Sequence, residues 1–238
     1  MKKIIAILLA LGLIFAGIYF WKMRPSTHDE EDESYWDYEE EVAEEYSGAK
    51  TSLTFDLADF NAVSVSSAFD VRVGAGEYAV TASVPDYLAE YVLAEVRDST
   101  LYISLQKHPR KLRQTALSAS VTLPVLRFLK ASGAADVVAE LPLADTLMVE
   151  CSGASDISVK GEGCDVLSVQ VSGASDADLS RYDARIVNAY ASGASDCRLS
   201  VRDSLTASAS GASTILYSAP KSATITPTLS GSSTLRPK

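Results

Sequence analysis

A Ser-Gly-Ala-Ser-Asp-like pentad recurs along the C-terminal half of the chain, and this repeat constrains the fold more than any other feature. Six copies begin at Ser132, Ser152, Ser172, Ser192, Ser210 and Ser230, twenty residues apart except for one step of eighteen. This period is too short for a pair of helices, and the residues between pentads alternate between apolar and polar. The repeat therefore predicts a solenoid of stacked β-coils.

Alignment of the coils on their glycines predicts which side chains stack. Three columns are apolar and should face inward: Leu129, Val149, Val169, Ala189 and Ala207; Ala131, Cys151, Val171, Ala191, Ala209 and Leu229; and Val137, Ile157, Ala177, Cys197, Ile215 and Leu235. The intervening column should face outward: Lys130, Glu150, Gln170, Tyr190 and Ser208. This alternation on both sides of a recurring glycine predicts two strands bent about a corner, in coils stacked about 4.8 Å apart.

The region before the regular coils is predicted to be a β-rich cap over residues 50–116, followed by the β-helix over residues 117–238. Apolar and polar residues alternate between positions 60 and 106, which predicts strands. Turns are expected at residues 74–76 and 98–100, and a short helix is expected from Pro85. Residues 66–70 resemble a degenerate pentad in which Ser67 stands in the place of glycine. Solenoids need such caps, because an open terminal coil leaves unpaired backbone groups.

The N-terminal segment, residues 1–24, has the pattern of a membrane anchor or a signal peptide. Residues 4–21 are eighteen consecutive residues without a charge, or roughly 27 Å of helix. Lys22 and Arg24 follow the aromatic end of this run, as expected where a helix leaves the membrane. Small residues near Gly17 leave cleavage as an alternative. Either way, the rest of the chain should be exported to the cell envelope.

An acidic linker, residues 25–49, separates this segment from the coils. It holds eleven carboxylates between Asp29 and Glu45 and no Lys or Arg, which accounts for the formal net charge of -10. Residues 46–238 carry 17 basic and 20 acidic residues, so they offer no face basic enough for nucleic acid. The linker's Tyr35, Trp36 and Tyr38 indicate either a partner-docking segment or a solvated spacer.

The three cysteines have no evident disulfide pairing. Cys151 and Cys197 fall in inward columns and should be buried thiols. Cys164 falls in a predicted turn next to Gly163 and is the candidate for a reactive thiol.

Four pentad aspartates are the weak candidates for a metal site. Asp136, Asp156, Asp176 and Asp196 occupy equivalent positions in successive coils. At about 5 Å and an effective dielectric near 20, each ionised pair repels by roughly 3 kcal/mol. Either backbone N–H groups and water relieve this repulsion, or a Ca²⁺ ion is shared between coils. No other cofactor is expected.

A basic cluster and several tyrosines are the weak candidates for ligand binding. Lys107, Arg110, Lys111 and Arg113, with His108, could bind an anionic polysaccharide or form a solvated loop. The outward Tyr190 and the cap residues Tyr87 and Tyr91 could stack on sugar rings. No catalytic residues are predicted, because the sequence contains no histidine other than His28 and His108, neither of them in a recognisable triad.

The motifs together resemble a known family. The pentads follow an Ala68-Phe69-Asp70-Val71-x-Val73-x-x-Gly76 start and an Asp98-x-x-Leu101-x-Ile103 strand. In these motifs the chain resembles the head GIN domain family of auto-transporter adhesins, over about residues 60–234. The resemblance implies an exported protein with a right-handed parallel β-helix, and it supplies no catalytic residues. The chain departs from the family pattern at Thr214 and Thr234, where Asp is absent.

These observations predict an all-β protein, a right-handed parallel β-helix with an N-terminal β-rich cap, preceded by one transmembrane or signal helix. We expect a non-catalytic envelope or surface module that binds glycan, matrix or an envelope protein. A structural module that forms homo-oligomers through the solenoid ends is the alternative, and a polysaccharide-active enzyme ranks third. The expected partners are thus the membrane, through the N-terminal helix, and one of these ligands.

Overall fold

A computed structural model describes residues 49–106 and 117–238 as β-strands with one short 3-10 helix, Asp86–Tyr91. In chain order the strands are β1 Lys50–Phe55, β2 Ala62–Val65, β3 Phe69–Ala75, β4 Ala79–Pro85, β5 Val92–Arg97, β6 Thr100–Leu105, β7 Leu117–Leu123, β8 Phe128–Ala131, β9 Asp136–Leu141, β10 Ala144–Cys151, β11 Asp156–Gly161, β12 Cys164–Val171, β13 Asp176–Ala191, β14 Asp196–Ala209, β15 Thr214–Ser218, β16 Thr224–Leu229 and β17 Thr234–Pro237. The all-β prediction is confirmed.

The expected membrane-spanning or signal segment, residues 1–24, lies outside the described residues, as does the acidic linker apart from Ala49. Within residues 49–106 and 117–238, the structure contains no helix with the length and apolar character needed to cross a membrane.

Two rows of parallel strands make up the solenoid, which confirms the predicted coil. The first row runs β6, β2, β8, β10, β12, the second halves of β13 and β14, and β16. The second row runs β7, β3, β9, β11, the first halves of β13 and β14, β15 and β17. A pentad forms the corner between the rows in each regular coil.

The step of eighteen residues does not disturb this stacking. Leu179 pairs with Leu199, and Ala189 pairs with Ala207, although the first pair is twenty residues apart and the second eighteen. The register shifts between these pairs, at the corner opposite the pentad. The shorter coil therefore lacks two residues at this corner. The inward side chains of both rows stay aligned with those of the neighbouring coils.

The N-terminal strands do not stack in chain order. Strand β2 pairs in parallel with both β6 and β8, and β3 pairs in parallel with both β7 and β9. Strands β6 and β7 therefore form an outer coil next to β2 and β3, and the parallel register begins at Ala62, inside the segment expected to be a cap. Antiparallel strands then cover this end. Strand β4 pairs with β7 and β1 pairs with β4, while β5 pairs with β6.

The predicted local features of this region occur close to their expected positions. The helix after Pro85 is a 3-10 helix, and its Leu88 is buried. The turn after β5 has φ of 48° at Asp98 and 57° at Ser99. Strands β1 and β5 were not predicted from the sequence, because both are only partly buried and their alternation is weak.

The core follows the three predicted apolar columns along the solenoid. All of their members are buried except the last two, Leu229 and Leu235. In the outward column, Tyr190 and Gln170 are exposed, and the other members are half-buried. The inward and outward assignments are therefore confirmed, and the core thins out only in the last coil.

Candidate functional site

Each pentad glycine occupies a corner that a side chain would obstruct. Gly153, Gly173 and Gly193 have φ of 86°, 83° and 82°. A Cβ atom on Gly173 would lie 2.6 Å from the carbonyl oxygen of Gly153. The N–H of Ala174 donates to that same oxygen at 2.8 Å. The backbones of neighbouring coils thus touch at the corner, and only glycine fits there.

The fourth pentad residue is a buried serine in four coils: Ser155, Ser175, Ser195 and Ser213. Ser155 Oγ donates to the carbonyl of Ser152 at 2.7 Å, and Ser213 Oγ donates to the carbonyl of Ser210 at 2.8 Å. These hydroxyls satisfy carbonyl groups within the corner. The repeated serine is therefore structural, and its burial argues against a row of nucleophiles.

The pentad aspartates form a column in the second row of strands that is longer than predicted. Asp70, Asp136, Asp156, Asp176 and Asp196 pair in register. Asp70 was missing from the predicted site, although the degenerate pentad at residues 66–70 carried the signal. Desolvation raises the pKa of Asp136, and the charges of Asp156 and Asp70 raise it further.

Arginine side chains lie near the Asp196 end of the aspartate column. Arg198 Nη2 lies 3.8 Å from Asp196 Oδ2. One position further along the outward face, Asp178 accepts hydrogen bonds from the N–H of Ser180 at 3.0 Å and from its hydroxyl at 2.6 Å. Partial burial raises the pKa of Asp178, but these hydrogen bonds and the charges of Arg198 and Arg181 outweigh it, so the pKa is lowered.

The described part of the chain contains no cluster of three or more His, Cys, Asp or Glu side chains arranged to hold a metal ion. The aspartates of the column follow one another along an exposed edge, one in each coil, and do not converge on a point. A Ca²⁺ ion shared between coils remains a prediction.

The cysteines are all buried and unpaired. This confirms the interpretation of Cys151 and Cys197 and corrects that of Cys164, which was placed in a turn as the candidate for a reactive thiol. The glycines at positions 161 and 163 tighten the corner so that Cys164 begins β12 with its side chain inward, next to Tyr182. Desolvation raises the pKa of the Cys164 thiol to about 11, so it is not a reactive cysteine.

The predicted basic cluster, Lys107, Arg110, Lys111 and Arg113, lies outside the described residues, and so does His108. The strands on both sides of it are described. Leu117 pairs with Phe69, and the N–H of Leu105 donates to Ser67 Oγ at 3.2 Å. The binding role of the cluster itself stays a prediction.

The outward side of the first row forms a flat surface that we name the Tyr190 face. Its members stand in register on neighbouring strands: Phe128, Lys130, Met148, Glu150, Ser168, Gln170, Asn188, Tyr190, Thr206 and Ser208. Tyr190 is 52% exposed, and Lys130 Nζ lies 2.9 Å from Glu150 Oε2. The face therefore combines an accessible aromatic ring with amide and hydroxyl groups, and its two charged side chains neutralise each other in one ion pair. The strand alternation indicated Gln170 and Asn188 as outward residues, but they were not among the predicted ligand contacts.

A shallow groove opens at the corner opposite the pentads in the first regular coils. It has a volume of about 250 Å³, and Val125, Leu143, Arg127 and Asp145 line it. Leu143 is 65% exposed, whereas Tyr182 beneath it is buried. The groove is half open and mixes apolar and charged groups, so its shape is less defined than a closed ligand pocket.

A parallel β-solenoid with glycine corners, structural serines and outward-facing strand surfaces defines a repeat protein that presents extended surfaces. A family model described as "putative auto-transporter adhesin, head GIN domain" matches residues 59–219. The chain belongs to this family, which confirms the resemblance carried by its pentads. The family is described as adhesins and not as enzymes, and it points to the cell surface or envelope.

Solved structures share the fold. A putative adhesin from Bacteroides fragilis has a TM-score of 0.69 at 19% identity, over 81% of this chain and 99% of that chain. A putative lipid binding protein from Parabacteroides distasonis has a TM-score of 0.51 at 16% identity, over 81% of this chain and 98% of that chain. At these identities the likeness concerns the fold alone. No curated protein matches the chain.

Proposed function

We propose that this protein is a non-catalytic adhesin-type module of the cell envelope that binds a glycan on the Tyr190 face. The observation that carries the proposal is the 52% exposed ring of Tyr190 on a flat row of parallel strands. An aromatic ring with one accessible face stacks on the apolar face of a sugar, and neighbouring polar groups fix the sugar's orientation. Membership of an adhesin family supports a role at the surface.

The neighbours of Tyr190 favour an uncharged glycan. Gln170 and Ser208 pair with Tyr190 in register, and Asn188 is on the same outward side of the same strand. Their amide and hydroxyl groups both donate and accept hydrogen bonds, as the hydroxyl groups of a sugar require. The Lys130 to Glu150 ion pair neutralises the charges nearest to them. An anionic polysaccharide would instead require unpaired cations.

The test is binding of the full chain, solubilised in detergent, to an array of glycans and matrix proteins. We expect saturable binding to neutral glycans that the Tyr190→Ala variant reduces at least tenfold. The matched control is Val138→Ala, since Val138 is 47% exposed but lies in the second row of strands. Equal loss in both variants, or no loss with Tyr190→Ala, contradicts the proposal. Loss of binding on chelation would add the aspartate column to the site.

A further inference from the structure

The last coil among the described residues has an unpaired strand edge. Among the described strands, β16 pairs with β14 alone and β17 pairs with β15 alone. Leu229, an inward residue of β16, is 47% exposed, whereas Ala209, the residue paired with it in the preceding coil, is buried. Leu235 of β17 is likewise less buried than its partner Ile215. The opposite end has antiparallel strands over it, so the two ends differ.

The backbone of β17 offers a place for one more strand. The N–H groups of Thr234 and Lys238 donate to carbonyls of the preceding coil, each at 2.9 Å. Successive residues of a strand direct their backbone groups to opposite sides, so the N–H of Leu235 and the carbonyl of Pro237 face the open side. Such an edge pairs readily with an extended segment.

The charges at this end have one sign. The sequence has no Asp or Glu after Asp203, and Lys221, Arg236 and Lys238 are all exposed. Arg236 and Lys238 alternate with the inward Leu235 and Pro237 along β17. The open end therefore presents cations on its outward side and apolar groups on its inward side.

The chain itself contains a segment with the complementary pattern. Residues 29–45 hold eleven carboxylates and no Lys or Arg. In an extended strand Trp36 and Tyr38 project to one side, and Asp37 and Glu39 project to the other. One side would cover the exposed Leu229 and the partly buried Leu235 of the last coil, and the other would meet Arg236 and Lys238.

We propose that the open end of the solenoid, defined by β16, β17 and Lys221, binds the acidic segment of residues 29–45 from a second copy of this chain as an added β-strand. Chain length favours a second copy. Along the second row, β1 and β17 are separated by nine strand steps, or about 43 Å at 4.8 Å per step. Trp36 precedes Lys50 by fourteen residues, or about 46 Å when fully extended, which leaves almost no slack within one chain. Glycan binding on the Tyr190 face does not depend on this contact.

The test is sedimentation velocity of the full chain in detergent over a range of concentrations. One variant removes the cations of the open end: Lys221→Glu, Arg236→Glu and Lys238→Glu. A second variant removes the aromatic side chains of the segment: Trp36→Ser and Tyr38→Ser. We expect each to weaken self-association at least tenfold. The matched control reverses three exposed cations elsewhere, Lys50→Glu, Arg72→Glu and Arg127→Glu, and should associate as the wild type does.

Mixing the two defective variants decides the arrangement. The first variant keeps an intact segment and the second keeps an intact open end, so an equimolar mixture should form a one-to-one complex at concentrations where neither variant associates alone. The open-end variant should unfold at the wild-type temperature, because its three substituted residues are exposed. A wild type that stays monomeric, an open-end variant that associates normally, or a mixture without the complex would overturn the proposal.

Discussion

The carbonyl oxygen of Gly153 lies 2.6 Å from the point where a Cβ atom on Gly173 would stand. The same distance recurs between Gly133 and Gly153 and between Gly173 and Gly193, so the backbones of successive coils are in direct contact along one edge. The contact between successive glycine corners therefore limits how closely neighbouring coils can stack. A side chain at any of these corners would have to move two coils apart.

Substitution of Gly173 by alanine should therefore cost about 3 kcal/mol of unfolding free energy. A left-handed backbone costs a residue with a side chain about 1–2 kcal/mol, and the clash with Gly153 adds to that. Urea denaturation measures the loss. The control is Gly74→Ala, where φ is not positive and the added Cβ would lie 3.9 Å from Thr122 Cγ2, an ordinary contact. Equal losses at the two positions would refute the corner argument.

A charge placed in the core of the solenoid should unfold the protein. The same charge on the neighbouring outward residue should not. Val171 is buried in an inward column, and Gln170 precedes it on the exposed side of the same strand. Val171→Asp leaves an unpaired charge in the core, which costs about 3–5 kcal/mol. Gln170→Asp should change stability by less than about 0.5 kcal/mol. Thermal unfolding followed by circular dichroism compares the two, and an unchanged midpoint for Val171→Asp would contradict the column assignment.

The columns could be predicted because the repeat and the strand alternation give the same answer at each position. Val149, Val169 and Ala189 lie one period apart and all face inward, so no long-range information was needed. The outer coil of β6 and β7 is different, because its place beside β2 and β3 depends on pairing that no local pattern records. Cys164 was assigned wrongly for a related reason: its neighbouring glycines indicated a turn, but the direction of its side chain is set by contact with Tyr182.

The candidate binding surface could be predicted only in part. Alternation placed Tyr190 outward, and the structure adds that Gln170 and Asn188 lie on the same flat face. The sequence indicated a row of aspartates but not its full length, since the degenerate pentad with Ser67 was recognised without its Asp70 being added to the row. Ser67 nevertheless has φ of 71°, as the glycines of the later corners do. At residue 67 a serine thus adopts the backbone conformation that glycine adopts at the later corners.

Two aspartates of the second row of strands should make stability depend on pH in opposite ways. The pKa of Asp136 is raised above its ordinary value of 3.8 by desolvation and then by neighbouring carboxylates, so its ionised form lowers stability at pH 7. This penalty disappears as the pH falls through the raised pKa. Asp136→Asn should therefore raise the unfolding midpoint at pH 7 and leave it unchanged below pH 3.8.

Asp178, two coils further along the same row, provides the opposite control. The pKa of Asp178 is lowered, because hydrogen bonds from Ser180 and nearby arginines outweigh its partial burial. Its ionised form stabilises the fold above pH 3.8, and this contribution is lost as the pH falls through the lowered pKa. Asp178→Asn should lower the midpoint at pH 7, with the difference shrinking in acid. Two midpoints that shift in the same direction at pH 7 would contradict the assigned causes.

None of the three cysteines should react in the folded protein. Cys151, Cys164 and Cys197 are buried, and desolvation raises the pKa of each thiol, that of Cys164 to about 11. A thiol reagent at pH 8 should therefore label no cysteine in the native chain and all three in denaturant, because the thiolate is the reactive form. An Ala174→Cys variant provides the control, since Ala174 is exposed at the pentad corner and a thiol there should react at once. Rapid native labelling of Cys164 would restore it as a reactive thiol and would mean that the glycine corner next to it opens in solution.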